Sequence, residues 1–327
     1  METKIRSVGN AARLQRWGYF FVLPFIVVYA FFHLYPTFYT FFLAFTDAGG
    51  MRRNINVVGF QNFVRLVQDT QFWNALRNTF IVWGMNFVPQ LGLALLLSIW
   101  LSDTRLNLRL RGPFRAIVYM PNLLAATSVA LLFRSLFGFE GPAQAPVNQF
   151  LFPLGIHTYR EVAGELVPSA IDFFRGVALT RGITAFIQFW MWYGHTVILL
   201  MAGITSISNT YFEAARIDGA SSWQTTLRIT LPLLRPIMLF ILVTSMIGGM
   251  QMFEIPFLLT DMRGGPDFSI RTNMVYMYNV GFQGVNDRAY AAAISVGVFL
   301  ITLVLAAVIY LFMRDRDDVA KKGRRKP

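Results

Sequence analysis

The sequence predicts an all-α polytopic membrane protein with six spanning helices. Of its 327 residues, 55% are hydrophobic, 16% are aromatic and only 14% are charged, whereas a soluble domain usually carries about 25% charged residues. The mean hydropathy is +0.49, and six long stretches contain no Asp, Glu, Lys or Arg. These observations argue against both a soluble globular domain and a disordered chain.

Each uncharged stretch is long enough to be one span. In order they are Trp17–Thr46, Asn78–Ser102, Ala116–Phe133, Gly182–Phe212, Pro236–Phe253 and Ala289–Met313. Their lengths are 30, 25, 18, 31, 18 and 25 residues, and a helix needs about 20 mostly apolar residues, or about 17 at the shortest, to cross a bilayer. The first stretch is longer than a signal-peptide core of about 7–15 residues, so we predict a retained anchor.

The basic residues predict the topology. Six spans place both termini on one side of the membrane, together with segments 103–115 and 213–235, and that side carries 18 of the 29 basic residues. By the positive-inside rule it is the cytoplasmic side. We therefore predict a cytoplasmic N-terminal segment (1–16), a transmembrane domain (17–313) and a basic cytoplasmic tail (314–327). Anionic lipid headgroups are the expected contacts of this charge, and no nucleic-acid partner is predicted.

The connecting segments carry few signals. A short helix is predicted from Gln61 in the first outer loop, where apolar residues recur at helical spacing. Residues 138–181 form the longest polar stretch and are predicted to be an outer loop without repeats. Gly264, Gly265 and Pro266 mark a turn in the second outer loop.

The chain lacks the residue patterns that covalent chemistry requires. It contains no cysteine, which excludes thiolate metal sites and thiol catalysis. All four lysines lie near the termini, so a GxxxxGK[ST] nucleotide-binding loop cannot form. The three histidines have no metal-ligand spacing. His195, inside the fourth stretch, is a candidate either for proton relay or for a hydrogen bond between helices. We predict no catalytic residue, no metal and no cofactor bound by this chain.

A cytoplasmic segment, residues 205–236, begins with explicit helix signals. Thr210 and Glu213 have the S/T-x-x-E spacing of a capping box, which predicts the start of a short helix. Gly219 suits the left-handed conformation that ends such a helix.

The same segment then predicts a second short helix. Ser221 and Gln224 form another potential capping box, and Pro232 ends or kinks the helix downstream of it. Two short helices joined at Gly219 can serve either as a docking surface for another protein or as a connector on the membrane surface.

Residues 213–220, EAARIDGA, resemble the EAA loop of ABC importer permeases, whose pattern is roughly EAAxxDGA with a downstream IxLP. Here the downstream residues are Ile229-Thr230-Leu231-Pro232. Further matches to the maltose-type carbohydrate-uptake branch extend over nearly the whole chain. They are Trp73 with Asn78-Thr79, Phe114-Arg115, Met120-Pro121, Leu259-Thr260, Gly264-Gly265-Pro266 and Tyr290-Ala291-Ala292-Ala293. One departure is Thr226, where many relatives carry Phe.

The resemblance implies a function and a set of partners. Such permeases transport sugars or oligosaccharides through a pore formed with a second, homologous permease in a bacterial or archaeal plasma membrane. Two ABC ATPase subunits bind the ATP and Mg²⁺, and an extracytoplasmic binding protein delivers the substrate. The EAA loop couples permease to ATPase. The residues that the resemblance assigns to coupling are Glu213, Ala214, Ala215, Asp218, Gly219, Ala220, Ile229, Leu231 and Pro232.

The substrate path is predicted from polar and aromatic residues inside the spans. Sugars bind to aromatic faces and to amides or carboxylates, and polar side chains in spans tend to face a bundle interior or a cavity. The candidates are Asn86, Gln90, Gln188, Trp192, Tyr193, Gln251, Phe253 and Glu254. Each has an alternative role, because aromatics also form interfacial belts and amides also join helices.

Two other classes of protein compete with this interpretation. A secondary transporter usually needs intramembrane carboxylates or broken helices, and the six stretches contain no charged residue. A membrane enzyme needs converging catalytic groups, which the sequence does not supply. Within the family, a permease for another solute, such as a polyol or glycerol phosphate, remains open.

Overall fold

The computed structural model describes residues 8–50, 55–102, 111–162, 164–284 and 286–313, with the side chains of 8–18 and 111 excepted. The tail predicted at 314–327 lies outside the described residues. Those residues are overwhelmingly helical, and five helices are long and apolar enough to span a membrane, or six when one bent pair counts as a span. The predicted fold class is therefore confirmed.

Most of the predicted spans correspond to helices. The first is α1 (Val8–Tyr29), which continues through a π-helical turn (Ala30–Leu34) into α2 (Tyr35–Ala44). The second is α4 (Thr70–Ser102), which continues through Pro89. The fourth and sixth are α8 (Val177–Ser206) and α15 (Arg288–Met313).

The third span is not the single straight helix that the uncharged stretch predicted. It is divided into α5 (Arg111–Tyr119), a 3₁₀ turn (Met120–Leu123) and α6 (Ala126–Leu136), bent by 87°. The chain leaves helical geometry at Leu124 and Ala125, whose ψ angles are 140° and 127°.

Two other boundaries also differ from the prediction. The fourth span ends at Ser206 rather than Phe212, because Ile207 and Ser208 are extended and a new helix follows. The fifth span consists of α12 (Arg235–Met250), a break at residues 251–253, and α13 (Glu254–Leu258).

The remaining elements are short. They are α3 (Gln61–Gln68), α7 (Pro146–Leu151), strands β1 (Thr158–Val162) and β2 (Glu165–Ser169), α9 (Asn209–Ile217), α10 (Ser222–Thr225), a π-helical turn (Thr226–Thr230), α11 (Leu231–Leu233) and α14 (Asn273–Phe282). The helix predicted from Gln61 is confirmed as α3. The antiparallel pair β1–β2 was not predicted within the polar stretch 138–181.

The described residues divide into two compact units, one within the ranges 1–68 and 280–296 and the other within 69–279 and 297–327. In the first unit, Arg65 Nη1 lies 2.7 Å from Asp287 Oδ2, and the Arg65 guanidinium lies 3.8 Å from the ring centre of Tyr290. The amide of Ala289 donates to the carbonyl of Ala48 at 2.7 Å. These contacts hold the start of α15 to the loop that follows α2.

The second unit contains two apolar clusters along α4 and α8. One includes Val82, Ile187 and Ile255 on α4, α8 and α13. The other includes Phe87, Val197 and Ile241 on α4, α8 and α12. Together they pack the second, fourth and fifth spans around one another, and this packing positions the polar residues that the spans carry.

Candidate functional site

A cavity of about 150 Å³ lies between α4, α8 and α12. Fourteen residues of the second unit line it. They are Trp83, Asn86, Gln90, Gln188, Trp192, His195, Thr196, Leu199, Ile241, Thr244, Ser245, Gly248, Gly249 and Met252.

Four of the predicted substrate-path residues meet in this cavity: Asn86, Gln90, Gln188 and Trp192. Gln90 Nε2 donates to Thr196 Oγ1 at 2.7 Å and so joins α4 to α8. Asn86 Nδ2 donates to the carbonyl of Val82 within its own helix at 3.1 Å. Both amides therefore also carry structural hydrogen bonds, as the alternative role allowed.

The other four predicted path residues do not line the cavity. Tyr193 stacks on Phe189, with 5.6 Å between ring centres. Phe253 stacks on Phe257 at 4.8 Å. Gln251 lies at the break after α12. Glu254 is exposed in the first turn of α13, where its charge interacts favourably with the helix dipole.

Several cavity residues were not among the predicted candidates. Trp83 Nε1 donates to Ser245 Oγ at 3.2 Å. A side chain at Gly249 would lie 2.4 Å from Trp83 Cδ1, so glycine is needed for the indole to pack on α12. His195 also lines the cavity, and its ring meets that of Trp192 edge to face at 5.9 Å. The sequence spacing indicates that His195 faces the same way as Gln188, because it lies seven residues, about two helical turns, after it.

The cavity lining suits a polyhydroxylated ligand. Two indole rings offer apolar faces, while amides and hydroxyls offer both donors and acceptors. None of the described residues that line it is acidic or a lysine, so these side chains give no electrostatic preference for a cation.

A second candidate site is the 208–232 segment between α8 and α12. Its first helix, α9, begins at Asn209 with Ser208 as the N-cap. The capping box predicted at Thr210 and Glu213 is therefore wrong, because Thr210 already lies inside the helix. Ser208 is extended, with ψ 134°, and so occupies the non-helical position that an N-cap requires.

The end of α9 was predicted correctly. Gly219 has φ +70°. The amide of Ala220 donates to the carbonyl of Ala215 at 2.9 Å, and the amide of Gly219 donates to the carbonyl of Arg216 at 3.1 Å. This pair of hydrogen bonds is a Schellman motif, which satisfies two carbonyls at the end of the helix.

The second capping box is also confirmed. The amide of Gln224 donates to Ser221 Oγ at 3.2 Å, and the amide of Ser221 donates to Gln224 Oε1 at 2.8 Å. After α10 the chain passes through the π-helical turn into α11, with Pro232 within the first two residues of that helix. This short helix ends at Leu233, one residue after Pro232, so it ends next to the residue that was predicted to end or kink it.

The 208–232 segment turns much of its surface away from the rest of the chain. Among its predicted coupling residues, Ala215 is buried, whereas Glu213, Ala214, Asp218 and Gly219 are exposed. Ala220, Ile229 and Leu231 are half-buried, and Pro232 is exposed. Ile217 is 87% exposed and Trp223 is 68% exposed. These exposed apolar side chains are available to contact either another protein or the membrane surface.

The 260–273 loop, at the other end of the fifth span, is closely tied to the chain. Asn78 Nδ2 donates to the carbonyl of Phe268 at 2.7 Å, and Arg181 Nε donates to the carbonyl of Ser269 at 3.0 Å. Arg181 Nη2 also donates to Asn78 Oδ1 at 2.7 Å. Thr272 Oγ1 donates to the carbonyl of Met252 at 2.6 Å. The loop therefore bonds to the starts of α4 and α8 and to the break after α12.

Two charged groups in this loop have shifted pKa values. Burial opposes ionisation of Asp261, but backbone hydrogen bonds from Gly265 and Arg263 outweigh it and lower the pKa of the carboxyl below its ordinary value. Burial lowers the pKa of Arg271, although Tyr276 and Asp69 act in the opposite direction. The Arg271 guanidinium also lies 3.9 Å from the ring centre of Phe268.

Comparison with known proteins identifies the family. The sequence profile described as "Binding-protein-dependent transport system inner membrane component" matches residues 74–317. The chain belongs to this family. The lactose transport system permease protein LacF of Rhizobium radiobacter is 32% identical over 300 residues, which are 91% of this chain and 94% of LacF.

A further relative and a solved structure agree. The arabinooligosaccharides transport system permease protein AraP of Bacillus subtilis is 28% identical, over 93% of this chain and 94% of AraP. A chain of a bacterial ABC transporter involved in the import of the acidic polysaccharide alginate has 25% sequence identity and a TM-score of 0.73, covering 93% of this chain and 97% of its own.

Family membership accounts for the apolar helices. This permease is an inner-membrane component of a binding-protein-dependent transport system, and the matched region contains both the cavity and the 208–232 segment. Both candidate sites therefore lie within the part of the chain that the family shares.

Proposed function

We propose that this permease imports sugars or oligosaccharides through a pore that it forms with a second, homologous permease. The observation that carries the proposal is the cavity between α4, α8 and α12, where Trp83 and Trp192 meet amide and hydroxyl side chains. The sugar substrates named for LacF and AraP support the same class. A single chain lines only part of such a pore, which fits the small volume of the cavity.

The 208–232 segment is the element that couples the pore to ATP hydrolysis. In this proposal α9 and the Gly219 turn dock on one of two ABC ATPase subunits, which bind ATP and Mg²⁺. Glu213 and Asp218 are exposed and available for charge-assisted hydrogen bonds to Arg or Lys of the ATPase. The exposed side chain of Ile217 supplies an apolar anchor.

The remaining partners belong to the same proposal. An extracytoplasmic binding protein delivers the sugar, as the family description implies, and the chain itself performs no catalysis. Both termini are cytoplasmic, because the 208–232 segment must face the ATPase. A cytoplasmic position of this segment also agrees with the excess of basic residues on that side.

The coupling assignment is tested by purifying the assembled importer and measuring sugar-stimulated ATP hydrolysis. We expect Gly219→Pro and Glu213→Lys to remove most of the stimulation and to reduce recovery of the ATPase, since one blocks the turn and the other reverses a docking charge. Membrane insertion should be unaffected. Glu165→Lys, on the exposed strand β2, is the matched charge reversal outside the segment and should leave recovery unchanged.

Normal stimulation in both coupling variants would contradict the coupling role. Recovery of the chain without any ATPase, with uptake surviving ATPase deletion, would instead favour a stand-alone secondary transporter. Stimulation by a polyol or glycerol phosphate, but by no sugar, would retain the importer and change its substrate.

The apolar anchor is tested by Ile217→Asp. Because this side chain is 87% exposed, its replacement should change the stability of the isolated chain by less than about 0.5 kcal/mol. Loss of a desolvated anchor should weaken ATPase binding by about ten-fold or more. The measurement is titration of purified ATPase against the variant, with Ile156→Asp, half exposed and outside the segment, as the control.

A further inference from the structure

A second cavity, of about 340 Å³, lies where the last turns of α4 and α8 meet α9, α10 and the π-helical turn. We call it the inner pocket. It is separate from the cavity between the spans and shares no lining residue with it. Its lining residues are Ile99, Ser102, Ile204, Thr205, Ile207, Asn209, Phe212, Arg216, Ser222, Thr225, Thr226 and Thr230.

The inner pocket combines one buried hydroxyl, that of Ser102, with polar side chains that are exposed or half-buried at its rim. Ser102 Oγ is buried and has no hydrogen-bond partner among the residues that the structure describes. Within the described part of the chain, no hydrogen bond or ion pair is made by the side chains of four further lining residues. These are Asn209, Arg216, Ser222 and Thr226. Buried polar groups are normally satisfied, so the hydroxyl of Ser102 is a candidate to bond to a ligand in this pocket.

The other hydroxyls of the inner pocket show that this is not a general property of the segment. Thr205 Oγ1 donates to the carbonyl of Met201 at 2.9 Å, and Thr225 Oγ1 donates to the carbonyl of Ser221 at 3.0 Å. These two hydroxyls donate to backbone carbonyls, whereas the side-chain donors of Ser102, Asn209 and Arg216 have no acceptor among the described residues.

The electrostatics of the inner pocket favour an anion. Among the described residues that line the pocket, Arg216 is the one charged side chain and none is a carboxylate. Asn209, Phe212 and Arg216 are three and four residues apart and therefore share one face of α9. At the start of this nine-residue helix, the first turn holds no acidic residue and Ser208 makes no side-chain cap bond, so the positive end of the helix dipole is not compensated there.

We propose that the inner pocket binds a small molecule that carries a phosphate group and neighbouring hydroxyls, and that its occupancy regulates coupling. Arg216 and Asn209 would hold the phosphate, while Ser102, Ser222 and Thr226 would bond to hydroxyls. A bound ligand would join α9 to the ends of two spans and so resist movement of the coupling helix. This regulatory effect rests on the proposed function, but binding itself does not.

Two sources can supply this chemistry. One is a soluble sugar phosphate, which is a product expected from phosphorylation of an imported sugar. The other is a lipid headgroup such as that of phosphatidylglycerol, which also combines a phosphate with hydroxyls. The experiment therefore has an arm for each source.

The first arm measures binding of glucose 6-phosphate to the purified, assembled importer by calorimetry, with glucose and inorganic phosphate as comparison ligands. We expect saturable binding that is tighter than for either comparison ligand. Arg216→Gln should weaken it by about ten-fold or more, since hydrogen bonds to a charged group are lost. Arg228→Gln, a nearby exposed arginine that does not line the pocket, should retain the wild-type affinity. Thr226→Phe should weaken binding by filling the pocket.

The second arm measures retained phosphatidylglycerol by native mass spectrometry after transfer from vesicles of phosphatidylglycerol and phosphatidylcholine. A headgroup source predicts retention that falls in Arg216→Gln but not in Arg228→Gln, with no binding of glucose 6-phosphate. If neither ligand binds, or if both arginine variants behave alike, the proposal that the inner pocket binds a phosphate compound is wrong. Binding without any change in sugar-stimulated ATP hydrolysis would overturn the regulatory role alone. An importer that binds glucose 6-phosphate but shows no sugar-stimulated hydrolysis would instead refute the proposed function.

Discussion

Two irregular segments flank the fifth span, and they differ in how many of their side chains are buried and hydrogen-bonded by the chain itself. The 260–273 loop and the 208–232 segment both contain a glycine with positive φ, Gly264 at +82° and Gly219 at +70°. In the loop, Thr272 and Asn273 are fully buried. In the segment, Ile217 and Trp223 are largely exposed.

Hydrogen bonding shows the same contrast. Asn78 and Arg181 reach the 260–273 loop from two spans, so the loop is fixed by its own chain. Within the described residues, Arg216 and Asn209 of the other segment make no side-chain bond. We infer that contacts within the chain fix the loop, whereas the 208–232 segment keeps side chains available for contacts with other molecules.

The largest expected effect comes from replacing the two glycines. A Cβ at Gly264 would lie 2.5 Å from the backbone N and Cα of Arg271, whereas a Cβ at Gly219 would meet no atom within 4 Å. Gly264→Ala should therefore cost about 3 kcal/mol or more, or prevent folding, and Gly219→Ala about 1 kcal/mol from backbone strain alone. Thermal unfolding in detergent measures both. Equal losses would contradict the contrast between the segments.

The next largest effect on stability is expected from replacing an asparagine that hydrogen-bonds to the 260–273 loop, compared with one in the 208–232 segment. Asn78→Ala leaves the carbonyl of Phe268 and the guanidinium of Arg181 without this partner, and we expect a loss of about 2–3 kcal/mol. Asn209→Ala removes a side chain that makes no hydrogen bond in the described structure and should change stability by less than about 0.5 kcal/mol. Denaturation of the two variants side by side tests the difference, and a comparable loss in Asn209→Ala would show an undetected partner.

A smaller effect is expected at the second capping box. Ser221→Ala removes the acceptor for the Gln224 amide and should destabilise α10 by about 1 kcal/mol, which corresponds to roughly five-fold faster exchange of its amide protons. Ser222→Ala is the control, because its hydroxyl makes no hydrogen bond in the described structure. Hydrogen exchange that is unchanged in Ser221→Ala would mean that other contacts hold α10.

The smallest effect concerns pH and the 260–273 loop. Because the pKa of Asp261 is lowered from its ordinary value of 3.8, ionised Asp261 stabilises the fold at neutral pH, and this contribution is lost as pH falls through the lowered pKa. The side chain is partly solvated, so we expect less than about 1 kcal/mol. Asp261→Asn should reduce the fall in unfolding temperature below about pH 4. An unchanged acid profile would contradict the role of these hydrogen bonds.

The sequence was most informative where structure depends on neighbours in the chain. The Gly219 turn and the Ser221–Gln224 box depend on residues three to five positions apart, and both were predicted. The box at Thr210 failed because Ser208, two residues earlier, has the extended backbone of an N-cap. Two nearby hydroxyl residues compete for one role, and spacing alone does not choose between them.

Only four of the fourteen residues that line the cavity were among the predicted path residues, because its walls come from three spans. Gln188 and Trp192 were found because polar groups and aromatics are conspicuous in an apolar stretch. Ser245 and Thr244 were missed because small hydroxyl residues are common in spans and usually bond to their own helix, as Thr244 does to the carbonyl of Phe240 at 2.7 Å.

Composition and the spacing of charges by themselves determined the class of this protein and the number of its apolar stretches, because transfer into a bilayer depends on the summed hydrophobicity of about 20 residues. Short-range patterns determined the form of the helix ends. Only the tertiary structure decided the 87° bend of the third span, which residues face the two cavities, and that Arg216 has no partner among the described residues. These three features depend on where helices that are distant in sequence approach one another. Hydrophobic burial is non-directional, so no local sequence pattern specifies how those helices are arranged.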